Sequence, residues 1–572
     1  MSPAEVSVML AFAVVVPFAG AVLIAAAGGA VRTRRILALS YAAAATAFDL
    51  ALLSGYLQHP ARASWGSLKL TSFSCPAFVV LNLLAVAGVL YGSFRRTTSP
   101  FPAFLVATIP AACGFGALAL SVTTLAPQVL LWLGATAAAM LGLLAHGSVG
   151  ARKRLRAFIP WLVSDGLFVV GAILCSALLK EGGVLIKPPL TSGSEAQVVV
   201  VVVLFLLSAL VRLGVFPLHL WIGDLVNRTD ATWSSFFLGG LNFLLAGARL
   251  VVAVTLLARL VASDWSIALT IVALVSIAAG PFLAVRARTV SQSAAGLYCM
   301  QSGFLLLAVA MFSRAGLEGA LFMLITGPLF LTAFLMAAGT ADDLRGSSVL
   351  GERPLSARVA PAAFVALLVS GLCIAGLPPM DGFIGKALTV LGGFDKSVDS
   401  QFFALAAGIA LVALALALVA VVRTVGGSFS AEERPASGPR PGSLEGLVPL
   451  TICGASLLFG LFPGILLRNF INGSSRIFFA IGFEGPGIAF RGTGDVVASA
   501  FNNYMAWGAA AAAFLLAVSV ITLVAYFAAR AKHPSSGLAV SRRPFVGGSA
   551  GGYSSSWGPS WRPALRAFRR AP

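Results

Sequence analysis

Residues 209–225 read ALVRLGVFPLHLWIGDL, an apolar run with Arg212 in its interior and a Pro-Leu-His-Leu-Trp turn at Pro217. A second stretch, GLCIAGLPPMDGFIGKALTVLGG at 371–393, places Lys386 just past a proline pair. Proline removes a backbone donor and ends or kinks a helix. Broken backbone at membrane depth then needs water or polar protein groups to satisfy it. A charge inside a bilayer costs about 2.5–3.5 kcal/mol on insertion scales, so intramembrane cations usually mark an ion pathway. Two cations on or beside broken helices therefore point first to a protein that moves ions across a membrane.

Composition sets the frame around these segments. Of 572 residues 59% are hydrophobic and only 10% charged, and the mean hydropathy is +0.95. A soluble domain carries about a quarter charged residues, whereas here stretches of about 20 apolar residues, each long enough to span, recur throughout. The pattern predicts an all-α polytopic membrane protein of about 14–15 transmembrane helices. Spans are expected at 6–30, 36–57, 72–94, 102–122, 126–147, 156–180, 196–223, 233–257, 265–285, 290–312, 316–340, 359–393 (broken), 402–424, 446–468 and 503–530. The first stretch, from Val6 to Val31, lacks a preceding basic region and a cleavage site, and reads as a retained helix.

A net charge of +19 raises nucleic acid as a partner, but its distribution argues against it. With loops assigned alternately, Arg32, Arg34, Arg35, Arg95, Arg96, Arg152, Lys153, Arg154, Arg156, Arg286, Arg288, Arg345 and Arg353 fall on one side together with the basic terminal tail. This is the positive-inside pattern, and it predicts the N-terminus outside and the C-terminus in the cytoplasm. The six cysteines stand singly without C-x-x-C spacing, and no G-x-x-x-x-G-K-[ST] occurs. No metal site, redox cofactor or nucleotide-driven chemistry is expected, and no catalytic residues in the enzymatic sense.

The chain is expected to divide into an N-terminal three-helix segment (1–100), two repeat units (101–257 and 258–424), C-terminal helices (425–530) and a basic tail (531–572). The tail is rich in Gly, Ser and Pro and is expected to be disordered and cytoplasmic. Its arginines lie among Trp557, Trp561 and Phe568, which suits contact with anionic lipid, or only a solvated topological anchor. The seventh and twelfth spans each pair a cation with a proline break. Two inverted five-helix repeats would produce that correspondence.

Arg212 sits 11 residues from the predicted end of its span, about 16 Å along a helix. Asp165 lies nine residues into the preceding span, about 14 Å deep, so the two charges are expected to pair. An arginine keeps its proton and can only bias its neighbours, whereas a desolvated lysine can exchange one. Lys386 is accordingly the favoured proton carrier, with a lysine snorkelling to the outer interface as the alternative. His219 and Asp224 fall near the cytoplasmic mouth of the seventh span, either in the path or as structural groups. Asn242, Ser291, Ser293, Gln301 and Thr326 are neutral groups suited to lining hydrated gaps or to interhelical bonding. Arg314 and Glu318 are expected to be solvated in an outer loop.

Three of these segments resemble the antiporter-like family, the proton-pumping membrane subunits of respiratory complex I, group 4 hydrogenases and Mrp-type sodium/proton antiporters. The family turn, a buried Lys followed by P-[LF]-H-x-W-L-P-D-A, is matched by Arg212 and Pro217 through Asp224. Its G-x-P-P-x-x-G-F-x-G-K pattern is met by Gly376 through Lys386, and RTVSQSAAGLYCMQSGFLLLA from Arg288 resembles K-R-x-L-A-Y-S-S-x-x-Q-x-G with Gln301 and Gly303 in register. The resemblance covers roughly Ser72 to Ala420. It implies a fold of 14 or more helices with inverted repeats, and membrane partner subunits that supply the driving energy. The family's fifth-helix glutamate falls near Gly134, its seventh-helix lysine at Arg212 and its eighth-helix lysine at Asn242, so the first half is altered while the second keeps Lys386. Asp165 is expected to stand in as the acid beside Arg212.

The function expected is therefore a proton-translocating subunit of a complex I-related assembly, of the NADH-quinone oxidoreductase or hydrogenase type, in a bacterial cytoplasmic membrane. Protons or sodium, the lipid bilayer and other membrane subunits are the expected partners. The alternatives are an Mrp-type cation/proton antiporter, the membrane subunit of an inorganic-carbon uptake complex, or a non-pumping scaffold.

Overall fold

In hydrocarbon every backbone N–H and C=O must be satisfied by protein, and a helix does so within its own segment. The structure, a computed structural model, describes residues 3–475 apart from 29, 59–63, 66–67, 96–101, 123, 146–149, 179–194, 261–263, 398–399 and 431–442. Its elements run α1 (Pro3–Ala26), α2 (Val31–Gln58), α3 (Ser74–Phe94), α4 (Pro102–Ser121), α5 (Leu125–Leu144), α6 (Ala151–Leu178), α7 (Glu195–Leu213) and α8 (Leu220–Arg228). Then follow α9 (Ala231–Trp233), a π-helical stretch (Ser234–Asn242), α10 (Phe243–Leu260), α11 (Asp264–Arg286), α12 (Val290–Ala310) and α13 (Arg314–Arg345). The last are α14 (Pro361–Ala375), α15 (Asp381–Lys396), α16 (Gln401–Ser428), α17 (Ser443–Leu461), α18 (Gly464–Leu466) and a second π stretch (Leu467–Ile471). Two short pairs of strand residues, 64–65 with 68–69 and 355–356 with 429–430, only clip loops together.

Among the described residues 11 helices are long and apolar enough to cross a membrane, or 12 if the bent pair Glu445–Leu461 and Gly464–Ser475 is one span. The expected span at 503–530 and the tail at 531–572 lie outside the described residues. The expected continuous span at 196–223 is instead two helices, α7 and α8, because the chain turns at Gly214 and Pro217. Arg212 consequently sits in the last turn of α7 and not mid-helix.

The most apolar stretches of α12 and α13 are completely buried, while α1 and α2 present most of their surface outward. Lipid tails are as apolar as leucine, so helices in a bilayer gain by close packing of small residues. Here a Cβ on Gly296 would stand 2.5 Å from the Gly280 carbonyl, and one on Gly319 2.8 Å from the Gly385 carbonyl. These glycines bring α11 against α12 and α13 against α15 at backbone distance.

Polar contacts tie one end of the bundle. Arg95, just past α3, bonds Asp230 at 2.7 Å and Asp343 at 2.6 Å. Arg345 pairs with Asp342 and reaches the Gly427 carbonyl at the end of α16. Arg95 and Arg345 therefore act as interhelical ties as well as loop cations. Glu318 corrects another expectation. It is buried on α13, taking bonds from Arg314 and Ser475, because α13 starts at Arg314 and the chain is already helical at that point.

The two breaks are built alike. Gly214 and Gly376 have left-handed φ of 62° and 73°, where a residue with a Cβ is strained. The next residue closes a six-to-one bond in each, Val215 N–H to the Leu210 carbonyl and Leu377 N–H to the Leu372 carbonyl. This ends a helix while satisfying two of its last carbonyls. A cis X-Pro bond follows each glycine, at Phe216–Pro217 and Pro378–Pro379.

Candidate functional site

The last carbonyls of a helix lack intrahelical donors and carry the negative end of its dipole. At the first break side chains from elsewhere fill this need. The Arg212 carbonyl accepts the Asn242 amide at 2.9 Å, the Leu213 carbonyl accepts Ser302 Oγ at 2.8 Å, and the Val211 carbonyl accepts the Trp221 indole at 3.2 Å. The Phe216 N–H donates to Ser276 Oγ at 3.1 Å.

The Arg212 guanidinium is fully engaged beside this break. It donates to Asp165 Oδ1 at 2.8 Å, to Asn242 Oδ1 at 2.7 Å and to Thr136 Oγ1 at 3.0 Å. Asp165 also accepts from Arg249 on α10, at 3.2 Å. Two guanidiniums thus share one carboxylate, and all three groups are buried. Aromatic faces carry the excess positive charge. Arg212 lies 4.0 Å from the Trp161 ring centroid, and Arg249 lies 3.7 Å from Trp132 and 4.0 Å from Phe168. Such contacts contribute about 2 kcal/mol or more when desolvated. With arginines as its cations the cluster is a fixed positive charge and releases no proton itself.

Lys386 is held differently. Its Nζ donates to the Ile374 carbonyl, at the end of α14, at 2.9 Å. The ring centroids of Phe304 and Phe330 lie 5.5 and 5.8 Å away, and the stem crosses Gly376, which has no Cβ to block it. Only 1% of the residue is exposed, so it does not snorkel to an interface. Among the described residues it forms no ion pair. The ammonium is thus held by one helix-end carbonyl and two ring faces, and a lysine, unlike an arginine, is able to shift its pKa when buried.

The other sequence candidates divide. Asn242 joins both halves of its surroundings, bonding Arg212 on one side and the Tyr298 hydroxyl at 3.0 Å on the other. His219 is buried and stacked on Phe216 in the break, and its Nδ1 has no hydrogen-bond partner among the described residues. Asp224 stands apart, pairing with Arg228 at 3.5 Å with its side chain 40% exposed. Gln301 is buried on α12, three residues from Tyr298 and three from Phe304, and its amide atoms have no partner among the described residues. That face of α12 runs from the Arg212 cluster to Lys386. Ser293 bonds Thr424, and Thr326 bonds the Phe322 carbonyl, as interhelical and intrahelical ties. Ser291 is buried at the start of α12.

The region 129–413 matches the family model described as NADH:quinone oxidoreductase/Mrp antiporter, TM. A component of the Na(+)/H(+) antiporter of Bacillus subtilis (strain 168) is 27% identical over 336 residues, covering 56% of this chain and 65% of that protein. An NAD(P)H-quinone oxidoreductase chain 4 of Synechococcus elongatus is 28% identical over 225 residues, covering 39% and 42%. A chain in the structure of the Mrp complex from Dietzia sp. DQ12-45-1b superposes with a TM-score of 0.69 at 19% identity, over 84% of this chain and 98% of that one, a likeness of fold. Over residues 129–413 the chain matches the antiporter-like membrane-subunit family. It spans less than two thirds of the length of those two relatives.

A Cβ on Gly134, where the family pattern places an acid, would stand 2.7 Å from the Phe115 ring. The acid that meets Arg212 is Asp165, on α6. Sequence reasoning missed Arg249, although its charge stands alone in the apolar run 233–257 and was a signal there to find. It also passed over Asp381 in the LPPMDG turn, which the structure buries completely.

Proposed function

We propose that this protein is a proton-translocating antiporter-like subunit of a multi-subunit, complex I-related membrane assembly, with Lys386 as the group that takes and releases the proton. The observation that carries this reading is Lys386 itself, buried at a helix break, bonded to a single backbone carbonyl and free of any ion pair among the described residues. Ionisable groups inside a membrane protein mark ion pathways and proton relays. The Arg212–Asp165–Arg249 cluster sets a fixed field in the first half, and the α12 face with Tyr298 and Gln301 links the halves. Partner subunits supply the energy. The units 101–257 and 258–424 are the inverted repeats, a division supported by the shared construction of the two breaks. The N-terminus lies outside and the C-terminus in the cytoplasm of a bacterial inner membrane, as the loop cations favour.

The test is ion flux in inverted membrane vesicles, comparing wild type with Lys386→Ala at equal assembled protein. Proton movement is expected to collapse in the variant. Unchanged flux with normal assembly would remove Lys386 from the path and leave a scaffold role. A second reading, an Mrp-type cation/proton antiporter, is favoured by the sodium/proton antiporter relative, and sodium-dependent flux in the same vesicles separates the two.

A further inference from the structure

Asp381 begins α15, five residues before Lys386, and is 0% exposed. Its Oδ1 accepts the Gly382 N–H at 2.7 Å, while Oδ2 stays buried and makes no well-formed hydrogen bond among the described residues. The carboxylate faces the Ser456 hydroxyl on α17 and the Cys373 thiol on α14, with Cys453 of α17 also near. Ser456 Oγ is itself buried without a partner among the described residues. α17 presses directly on this break, since a Cβ on Gly460 would stand 2.1 Å from the Pro379 carbonyl and 2.6 Å from the Asp381 nitrogen. Ser456 and Gly460, one helical turn apart, thus form a single face of α17 laid on the break.

A buried acid and a buried base therefore lie within two turns of one helix, and among the described residues neither is in an ion pair. Five residues rise about 7.5 Å along a helix, and side chains lean toward the helix N-terminus. Lys386 does lean that way, because its Nζ reaches back past the break to Ile374. A buried charge without a counter-charge is costly, and a buried pair is tolerated when it is neutral as a whole.

We propose that Asp381 is the second proton carrier of the site, taking the proton that Lys386 releases and passing it toward α17. The N–H bond at Lys386 Nζ breaks with its electron pair left on nitrogen, and an O–H bond forms at Asp381 Oδ2, directly or through an intervening water. Ammonium with carboxylate becomes amine with carboxylic acid, and the net charge of the pair is zero in both states. The proton then leaves from Oδ2 along the Ser456 face, and Lys386 is reprotonated from the α12 side. The simpler role, a carboxylate that only caps the first turn of α15, is also served by asparagine. Asparagine cannot accept the proton, and that difference separates the two roles.

The inference rests on Lys386 being in the path, so the experiment carries both residues. Proton flux in inverted vesicles would be compared at equal assembled protein for wild type, Lys386→Ala, Asp381→Asn and Asp381→Glu. Flux is expected to fall at least tenfold in Lys386→Ala and in Asp381→Asn, and to return in part in Asp381→Glu. Collapse in Lys386→Ala with wild-type flux in Asp381→Asn would overturn the role of Asp381 alone. Wild-type flux in Lys386→Ala would overturn both. Should Asp381→Asn fail to assemble, infrared absorption of the purified wild type and of Asp381→Glu decides the matter. A protonated-carboxyl carbonyl band that appears as pH falls and shifts in the glutamate variant supports the proposal, and a band identical in both proteins refutes it.

Discussion

At the residue scale the decisive feature is how each buried charge is held. Asp165 is shared by Arg212 and Arg249, so removing it strands two guanidiniums, whereas removing one arginine leaves a satisfied pair. Asp165→Asn is therefore expected to cost about 3–5 kcal/mol, the usual range for breaking a buried ion pair from one side. Asp165→Asn combined with Arg249→Gln should recover part of that loss, since it returns the cluster to one excess cation. Thermal unfolding of the purified protein in detergent checks this, and a double variant no more stable than the single one would refute the shared carboxylate. The pairing of Asp165 with Arg212 was expected from the sequence, as opposite charges on consecutive spans, although the depth counted for Arg212 ran to residue 223 and the helix ends at Leu213. The share taken by Arg249 was not, since the depths of sequential helices are easy to align and the contacts of non-sequential ones are not.

At the scale of elements the two breaks control where the charges sit. Their prolines and glycines are visible in the chain, but hydropathy alone carries the seventh span on to residue 223 and sets Arg212 too deep within it. The structure ends α7 at Leu213, because Gly214 takes the left-handed conformation and its successor closes the helix end. The corresponding glycine of the second break has a further task. A methyl group on Gly376 would come within 2.9 Å of Lys386 Cδ as well as forcing a residue with a Cβ into left-handed backbone. Gly376→Ala should therefore lower stability by about 1–2 kcal/mol and depress proton flux by displacing the lysine. Gly408→Ala on α16, with nothing within 4 Å, is the matched control and should change neither. Equal behaviour of the two variants would argue against the packing described for Lys386.

On the scale of the whole molecule, α12 and α13 form the buried centre, and glycine seams set the distances on which both sites depend. Gly296→Val would drive a side chain into the Gly280 carbonyl and the Ala284 nitrogen, and α11 would separate from α12. Little assembled protein is expected in the membrane for that variant, whereas Gly454→Val, which faces open space, should accumulate as wild type. Quantitative immunoblotting of membranes after mild detergent extraction decides it, and normal levels of the Gly296 variant would show that the seam is dispensable.

Local chemistry was enough for much of this protein. Hydropathy required membrane helices because hydrocarbon leaves no other home for the backbone, and proline with glycine marked the breaks. Lys386 and Arg212 stood out because charge in an apolar run is costly. The tertiary structure alone decided which groups those charges meet. It gave Asp165 a second arginine from α10, put α17 against Asp381, and buried Glu318 at the start of a helix where a loop was expected. A helical repeat tells which face a residue occupies, but the neighbour across that face comes from a distant part of the chain and is fixed by how closely the helices can pack.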